Sequence, residues 1–251
     1  MEIAVAGATG SIGGPLAEEL ARRGHAVRAL SRGSADHPVD VRTGAGLDAA
    51  LAGCEVLVDA TNAGPNAKAA RAVLVEGGRN LLAAAASAGV RHHVCLSIVG
   101  CAQVPMPYYR VKVEQEELVR AAELPTTIVR ATQFHTLIAG LMAGMARFGF
   151  VPGGSAKVQP VDPREVAEAV AAIAESEPRS EGVSIAGPRI EELGDLARAW
   201  RRATGKRRLI VPLVVPPKYS RPLEAGALTD SVPDHRGAVG FAEWLERAVG
   251  P

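Results

Sequence analysis

The sequence predicts an α/β protein, a doubly wound parallel sheet with helices on both faces and a small C-terminal region. Three observations predict it. Apolar runs of strand length alternate with longer segments of helical period over the first 132 residues. A glycine-rich loop, G-A-T-G-S-I-G at 7–13, stands between the first strand and the first helix. Beyond about residue 132 the alternation gives way to amphipathic helices and proline-rich chain. Strand–helix alternation at this spacing implies right-handed βαβ crossovers, and so parallel strands covered on both faces.

The elements follow in order. Glu2–Ala6 is a short strand. Ser11–Arg23 carries Ile12, Leu16 and Leu20 at helical spacing, and Gly24 stands where a C-cap belongs. Ala26–Leu30 is the second strand, Val39–Val41 a short third and Leu47–Leu51 a short helix. Glu55–Ala60 is a fourth strand, and Ala70–Ala88 a helix that Gly77-Gly78 interrupts. His93–Val99, the helix Tyr108–Ala122 and the strand Thr126–Arg130 complete a core over residues 1–132. In the C-terminal region, residues 133–251, Thr136–Arg147 and Pro163–Ala174 read as helices, Pro163 standing in a first turn. Val183–Ala186 is a late strand rejoining the core, and Ile190–Thr204 and Phe241–Val249 are amphipathic helices. Val211–His235 holds five of the 17 prolines and reads as an irregular lid or cap.

Bulk properties exclude several functions. A chain of 251 residues buries a full core without a metal or disulfide. Net charge is +1, and no basic run exceeds Lys206-Arg207-Arg208, which argues against nucleic acid or an acidic membrane as partner. Cys54, Cys95 and Cys101 are scattered and odd in number, the pattern of reduced thiols inside a cell. No signal segment or apolar run of spanning length is visible, so the expectation is a cytoplasmic monomer or homodimer acting on a small molecule.

The loop carries the first chemistry. Gly7, Gly10 and Gly13 allow, in turn, a tight turn, backbone approach to a pyrophosphate, and close helix–strand packing. Thr9, Ser11 and Ile12 line the same loop, and the helix start offers free N–H groups to phosphates. The expectation is a bound dinucleotide. NAD sites place Asp or Glu at the end of the second strand to bond the ribose. Here that strand ends Leu30-Ser31-Arg32-Gly33. Arg32 can fork onto a 2′-phosphate and Ser31 can donate to it, so NADP(H) is favoured over NAD(H). Asp40 and Val41 stand where a carboxylate can accept from the adenine amino group, and Ala60 and Thr61 end the fourth strand beside the expected cofactor path.

The second chemistry follows the fifth strand, which ends L-S-I-V-G with Ser97 at its tip. Tyr108 comes eleven residues later, and Lys112 lies four beyond it in Y-Y-R-V-K. That spacing puts phenol and ammonium on one helix face, where the cation favours the phenolate. Tyr108 can then exchange a proton with a carbonyl or hydroxyl that Ser97 holds, and Lys112 can bond the nicotinamide ribose. Tyr109, about 100° round the helix, reads as packing.

These residues together resemble the atypical short-chain dehydrogenase/reductase family, in its NmrA-like NAD(P)H-binding subgroup. The resemblance rests on residues 7–13, 96–100 and 108–112, on I-V-R-A-T-Q-F at 128–134, Q-P-V-D-P-R-E-V-A at 159–167 and F-A-E-W-L at 241–245. It implies a Rossmann core, catalysis by Ser97, Tyr108 and Lys112, and passage of Ala131, Thr132 and Gln133 beside the nicotinamide. Members of the subgroup often lack the tyrosine, and some bind the dinucleotide as sensors. The first expectation is therefore an NADPH-dependent reductase of a carbonyl or activated double bond on a small hydrophobic substrate. The alternative is an NADP(H)-binding redox regulator; an epimerase or dehydratase with tightly held NAD is disfavoured by the missing acid. His135 reads as a helix-start polar group with a lesser claim on the pocket. His92-His93 lack metal-ligand spacing. Phe134, Leu141, Met142, Met145 and Phe148 read mostly as core, with some able to line a pocket.

Overall fold

A computed structural model describes residues 1–249. Its strands are β1 (Glu2–Ala6), β2 (Ala26–Leu30), β3 (Val56–Asp59), β4 (His92–Ile98), β5 (Thr126–Ala131), β6 (Phe150–Gly153), β7 (Lys157–Val158), β8 (Val183–Ala186), β9 (Glu191–Glu192), β10 (Leu209–Pro212) and β11 (His235–Arg236). Its α-helices are α1 (Gly13–Arg22), α2 (Leu47–Leu51), α3 (Ala67–Arg71), α4 (Gly77–Ser87), α5 (Pro107–Arg120), α6 (His135–Ala146), α7 (Pro163–Ala174), α8 (Leu193–Thr204), α9 (Pro217–Glu224) and α10 (Phe241–Val249). Seven strands form one parallel sheet in the order β11-β8-β5-β4-β3-β1-β2. β1 is second from one edge, pairing Val5 with Ala29 of the edge strand β2 on one side and with Val58 of β3 on the other. The order reverses at β1, so the carboxyl ends of β1 and β3 open the crevice where such sheets take ligands. The predicted Rossmann α/β class stands.

The chain divides into two compact units, 1–97 with 107–130 and 166–183, and 98–106 with 131–165 and 184–251. In the first, β1, β3 and β4 are buried almost throughout, as strands covered on both faces must be. Its core joins Ala4, Leu30, Leu57, Leu81, Cys95 and Ile128. In the second, Ile138, Met142, Leu196, Trp200, Phe241 and Leu245 form a separate core, and β6 pairs with β10 in a small two-stranded sheet.

Several local expectations change. Val39–Val41 is not a strand; only isolated bridges occur, at Pro38 and Asp40. Proline has no N–H for a ladder, and the Asp40 carboxylate accepts from the Arg42 amide at 3.0 Å, folding the chain into a turn. Gly77-Gly78 does not interrupt its helix. A π-helical turn, Ala72–Glu76, joins α3 to α4, and both glycines are buried inside the run. A Cβ on Gly77 would lie 2.9 Å from Val41 Cγ2, so glycine here permits close approach. The 211–235 segment is more regular than expected: it ends β10, forms α9 with Pro217 in its first turn, and begins β11. Of the apolar set on and around α6, only Met142 is fully buried; Leu141 is 39% exposed and Phe148 73%. Among the described residues no helix is long and apolar enough to cross a membrane.

Candidate functional site

The glycine loop is built as its spacing requires. Gly7 has φ +79°, and a Cβ there would lie 2.7 Å from Ala60 O. A Cβ on Gly13 would lie 2.2 Å from Gly7 O, so no side chain fits without opening the loop. Gly10 closes the turn with its N–H to Gly7 O at 2.9 Å. Thr9, Gly10 and Ser11 are exposed. Ile12, the N-cap of α1, provides no side-chain cap, and among the described residues no acceptor meets the amides of Thr9, Ser11 and Ile12. An exposed rim of unmet N–H groups at a ten-residue helix start is an anion cradle.

The other nucleotide candidates fall around this loop with uneven freedom. Ser31 is half-buried, its carbonyl accepting from Val39 N at 3.0 Å. Arg32 is exposed on the turn after β2. Asp40 is already engaged: Arg42 meets it through Nη2 at 2.6 Å and Nε at 3.0 Å. The Arg42 guanidinium, outweighing partial burial, holds the Asp40 carboxyl down at about 2. The Val41 carbonyl accepts from Asn80 at 2.8 Å. Ala60 N donates to Ala6 O at 3.0 Å. Thr61 turns inward, donating from its amide (2.9 Å) and hydroxyl (2.6 Å) to Asp59 Oδ1.

Ser97, Tyr108 and Lys112 each meet a different partner. Ser97, near the end of β4, donates to Glu116 Oε1 at 2.5 Å. Glu116 is buried and also accepts from Arg130 (2.8 Å) and Arg120 (2.6 Å). Burial alone would raise the Glu116 pKa, but Arg130, Ser97 and Arg120 outweigh it and the carboxyl sits below its ordinary value. Tyr108 is half-buried against Ala70, Leu74, Val75 and Val111, and its hydroxyl donates to Asn62 Oδ1 at 3.0 Å. Lys112 is 4% exposed and donates to Leu96 O and Gln115 Oε1, each at 3.0 Å. A serine has one proton, and Ser97's lies on Glu116; in this arrangement its oxygen offers acceptance only. Asn62, Gln115, Glu116 and Asp59 were not among the sequence candidates. Gln115 and Glu116 stand three and four residues beyond Lys112, on the face the Tyr–Lys pair already marked.

In the second unit, Thr132 and Gln133 share one polar network through Gln159, and Ala131 makes a separate backbone contact. Ala131 O accepts from Val99 N at 3.1 Å. Thr132 Oγ1 donates to Gln159 O at 2.6 Å, and Gln133 joins Gln159 N (2.9 Å) to Leu228 O (2.8 Å). His135 is fully buried, its Nε2 2.9 Å from Val239 O and its ring beside Phe241 and Trp244. Burial lowers its pKa, as for a neutral core histidine. His92 lies 2.9 Å from Thr127 Oγ1, and among the described residues no group of acids, histidines or cysteines has metal-site geometry.

The model of the NmrA-like family matches residues 1–217. The chain belongs to the NmrA-like family. No curated protein matches the sequence. Solved structures do match in fold. The NADPH-dependent quinone oxidoreductase of Escherichia coli is similar at 20% identity and TM-score 0.76, covering 98% of this chain and 99% of that one. UDP-glucose 4-epimerase from Thermotoga maritima, solved with UDP-glucose, is similar at 17% identity and TM-score 0.78, with 99% and 97% covered. A short-chain dehydrogenase/reductase superfamily protein from Agrobacterium tumefaciens with bound NAD is similar at 18% and TM-score 0.75, with 99% and 96% covered. This NmrA-like chain thus shares its Rossmann fold with a protein solved with NAD bound and with one described as NADPH-dependent. Its own atoms fit such a cofactor, for the loop excludes every Cβ at Gly7 and Gly13 and presents unmet amides at the rim.

Proposed function

We propose that this NmrA-like protein is an NADPH-dependent reductase of a carbonyl, or of an activated double bond, on a small hydrophobic substrate. Residues 1–132 hold the dinucleotide and residues 133–251 shape the substrate site. The observation that carries the reading is α5, which keeps a half-buried Tyr108 and a buried Lys112 four residues apart. Bound NADPH supplies the hydride. Gly7 to Gly13 seat the pyrophosphate, with Thr9, Ser11 and Ile12 donating. Arg32 and Ser31 receive the 2′-phosphate, and the absence of an acid there removes the usual ribose acceptor of NAD sites. Asp40, Val41, Ala60 and Thr61 border the adenine side, and Ala131, Thr132 and Gln133 the nicotinamide side. Lys112 holds the nicotinamide ribose. Tyr108, once its hydroxyl turns off Asn62 Oδ1, gives its proton to the substrate oxygen and regains one from solvent. For Ser97 to hold that oxygen, its hydroxyl must rotate off Glu116.

The test is turnover of a panel of quinones, aldehydes and ketones with NADPH by the wild type and Tyr108→Phe. At least one substrate turned over by the wild type, with kcat lowered about a hundredfold or more in the variant, is the expected result. Equal kcat in both removes Tyr108 as the acid. The Ser97–Glu116 bond favours a second reading, a redox regulator that binds NADP(H) without chemistry, because it occupies the proton a reductase would use. That reading predicts tight dinucleotide binding and no turnover on any member of the panel.

A further inference from the structure

Lys112 does not stand alone in the interior. Its Nζ donates to Leu96 O and to Gln115 Oε1, both at 3.0 Å. Gln115, 1% exposed, passes the contact on: its Nε2 donates to Asp59 Oδ2 at 3.3 Å. Asp59, 2% exposed at the end of β3, is held in turn by the amide and hydroxyl of Thr61 on its other oxygen. A buried ammonium and a buried carboxylate are each costly unless paired. Here they are paired through one side-chain amide, and the two charges dictate how it is turned: carbonyl to the ammonium, NH2 to the carboxylate. The carboxylate is the one immediately before Ala60-Thr61, so the chain of contacts runs from the strand end facing the glycine loop to the helix that carries Lys112.

We propose that Gln115 and Asp59 are positioning residues for Lys112, holding its ammonium at the dinucleotide through an Asp59–Gln115–Lys112 bridge. The proposal rests on the reading that Lys112 meets the nicotinamide ribose. Neither residue touches the cofactor; each acts through the ammonium. Leu96 O fixes the ammonium from β4, and Gln115 fixes it from its own helix, so loss of Gln115 removes the anchor that the helix itself supplies.

The experiment compares binding of NADPH with that of adenosine 2′,5′-bisphosphate, the adenine half alone, to four folded variants. They are Lys112→Met, Gln115→Leu, Gln115→Glu, and Gln115→Glu combined with Asp59→Asn. The last reverses the bridge: a carboxylate at 115 accepts from Lys112, and an amide at 59 donates to it, with net charge unchanged. Gln115→Leu is expected to weaken NADPH about tenfold, the size of one hydrogen bond to a charged group, while the adenine half binds within twofold of wild type. Gln115→Glu alone places a second carboxylate against Asp59 and weakens NADPH as well; the reversed pair restores it to within about threefold. Should Gln115→Leu not fold, the contrast between Gln115→Glu and the reversed pair decides the matter alone. Equal losses for NADPH and the adenine half, or no rescue by the reversed pair, reduce the bridge to a structural contact and overturn the proposal. NADPH affinity unchanged in Lys112→Met overturns the reading of Lys112 itself. Affinity lost in Lys112→Met but kept in Gln115→Leu leaves that reading standing and removes the bridge.

Discussion

Replacing Glu116 by Gln keeps the shape of the side chain and removes its charge. The carboxylate meets Ser97 at 2.5 Å, Arg130 at 2.8 Å and Arg120 at 2.6 Å. Arg120 is 48% exposed and its bond adds little in water. Ser97 is buried and Arg130 is 26% exposed, so those two bonds carry the effect. A hydrogen bond to a charged group contributes about 1.5–3 kcal/mol, and the glutamine retains one neutral acceptor. The expected loss at pH 7 is about 2–3 kcal/mol, a fall in Tm of about 5–10 °C for a chain of this size. The folded-state carboxyl titrates below its ordinary value of 4.5, so its stabilisation is present above pH 4.5 and fades as pH falls through the folded value. The gap between wild type and Glu116→Gln, measured by urea unfolding, therefore narrows at acid pH. Groups common to both proteins cancel in that difference. A gap of the same size at pH 7 and pH 3.5, or one below about 0.5 kcal/mol at pH 7, refutes the role given to the charge.

Three further outcomes follow from the same geometry. Gly13→Ala puts a Cβ 2.2 Å from Gly7 O; it is expected to abolish NADPH binding by calorimetry and lower Tm by several degrees, and wild-type affinity would contradict the loop geometry. Arg32→Ala is expected to weaken NADPH about tenfold with NADH within twofold, and equal losses for the two would remove the 2′-phosphate contact. His93 is 1% exposed, among the described residues neither of its ring nitrogens has a hydrogen-bond partner, and burial, only partly opposed by the charge of Asp59, pushes its pKa to about 4. The unfolded chain takes up a proton near pH 6.5 that the folded chain refuses, so stability drains between pH 6.5 and 4, and His93→Leu is expected to flatten the urea midpoint over that window.

Legibility in the sequence divides by range. β1, β2, β8, α2 and α7 occupy the residues that periodicity marked, because each is decided by its own apolar spacing. The glycine loop was legible for the same reason: its demands lie within seven consecutive residues. The engagement of Asp40 was not legible, because Arg42 answers it from two residues away in a turn no periodicity describes. Gly77 looked like a break because a helix-breaking propensity cannot reveal that Val41 needs the space. The bridge from Asp59 to Gln115 spans 56 residues, and the bond from Ser97 to Glu116 spans 19. Periodicity puts such residues on a face; which neighbour they meet depends on how that helix lies along the strands.

α5 buries Lys112, Gln115 and Glu116 on one side of a helix whose packing would be served as well by leucines. Each charge is compensated, Lys112 by Asp59 through Gln115 and Glu116 by Arg130 and Arg120, so the interior tolerates them. Tolerance is not a reason for their presence. Buried ion pairs on balance stabilise no more than apolar residues of equal volume, and often less. What they do that leucines cannot is define positions for charged atoms beside the end of β4, one cation donating to Leu96 O and one anion accepting from the Ser97 hydroxyl. A helix kept polar at a cost in stability, and linked through Asp59 to the strand end facing a glycine loop with unmet amides, suits a binding site whose charges are set in place before a ligand arrives.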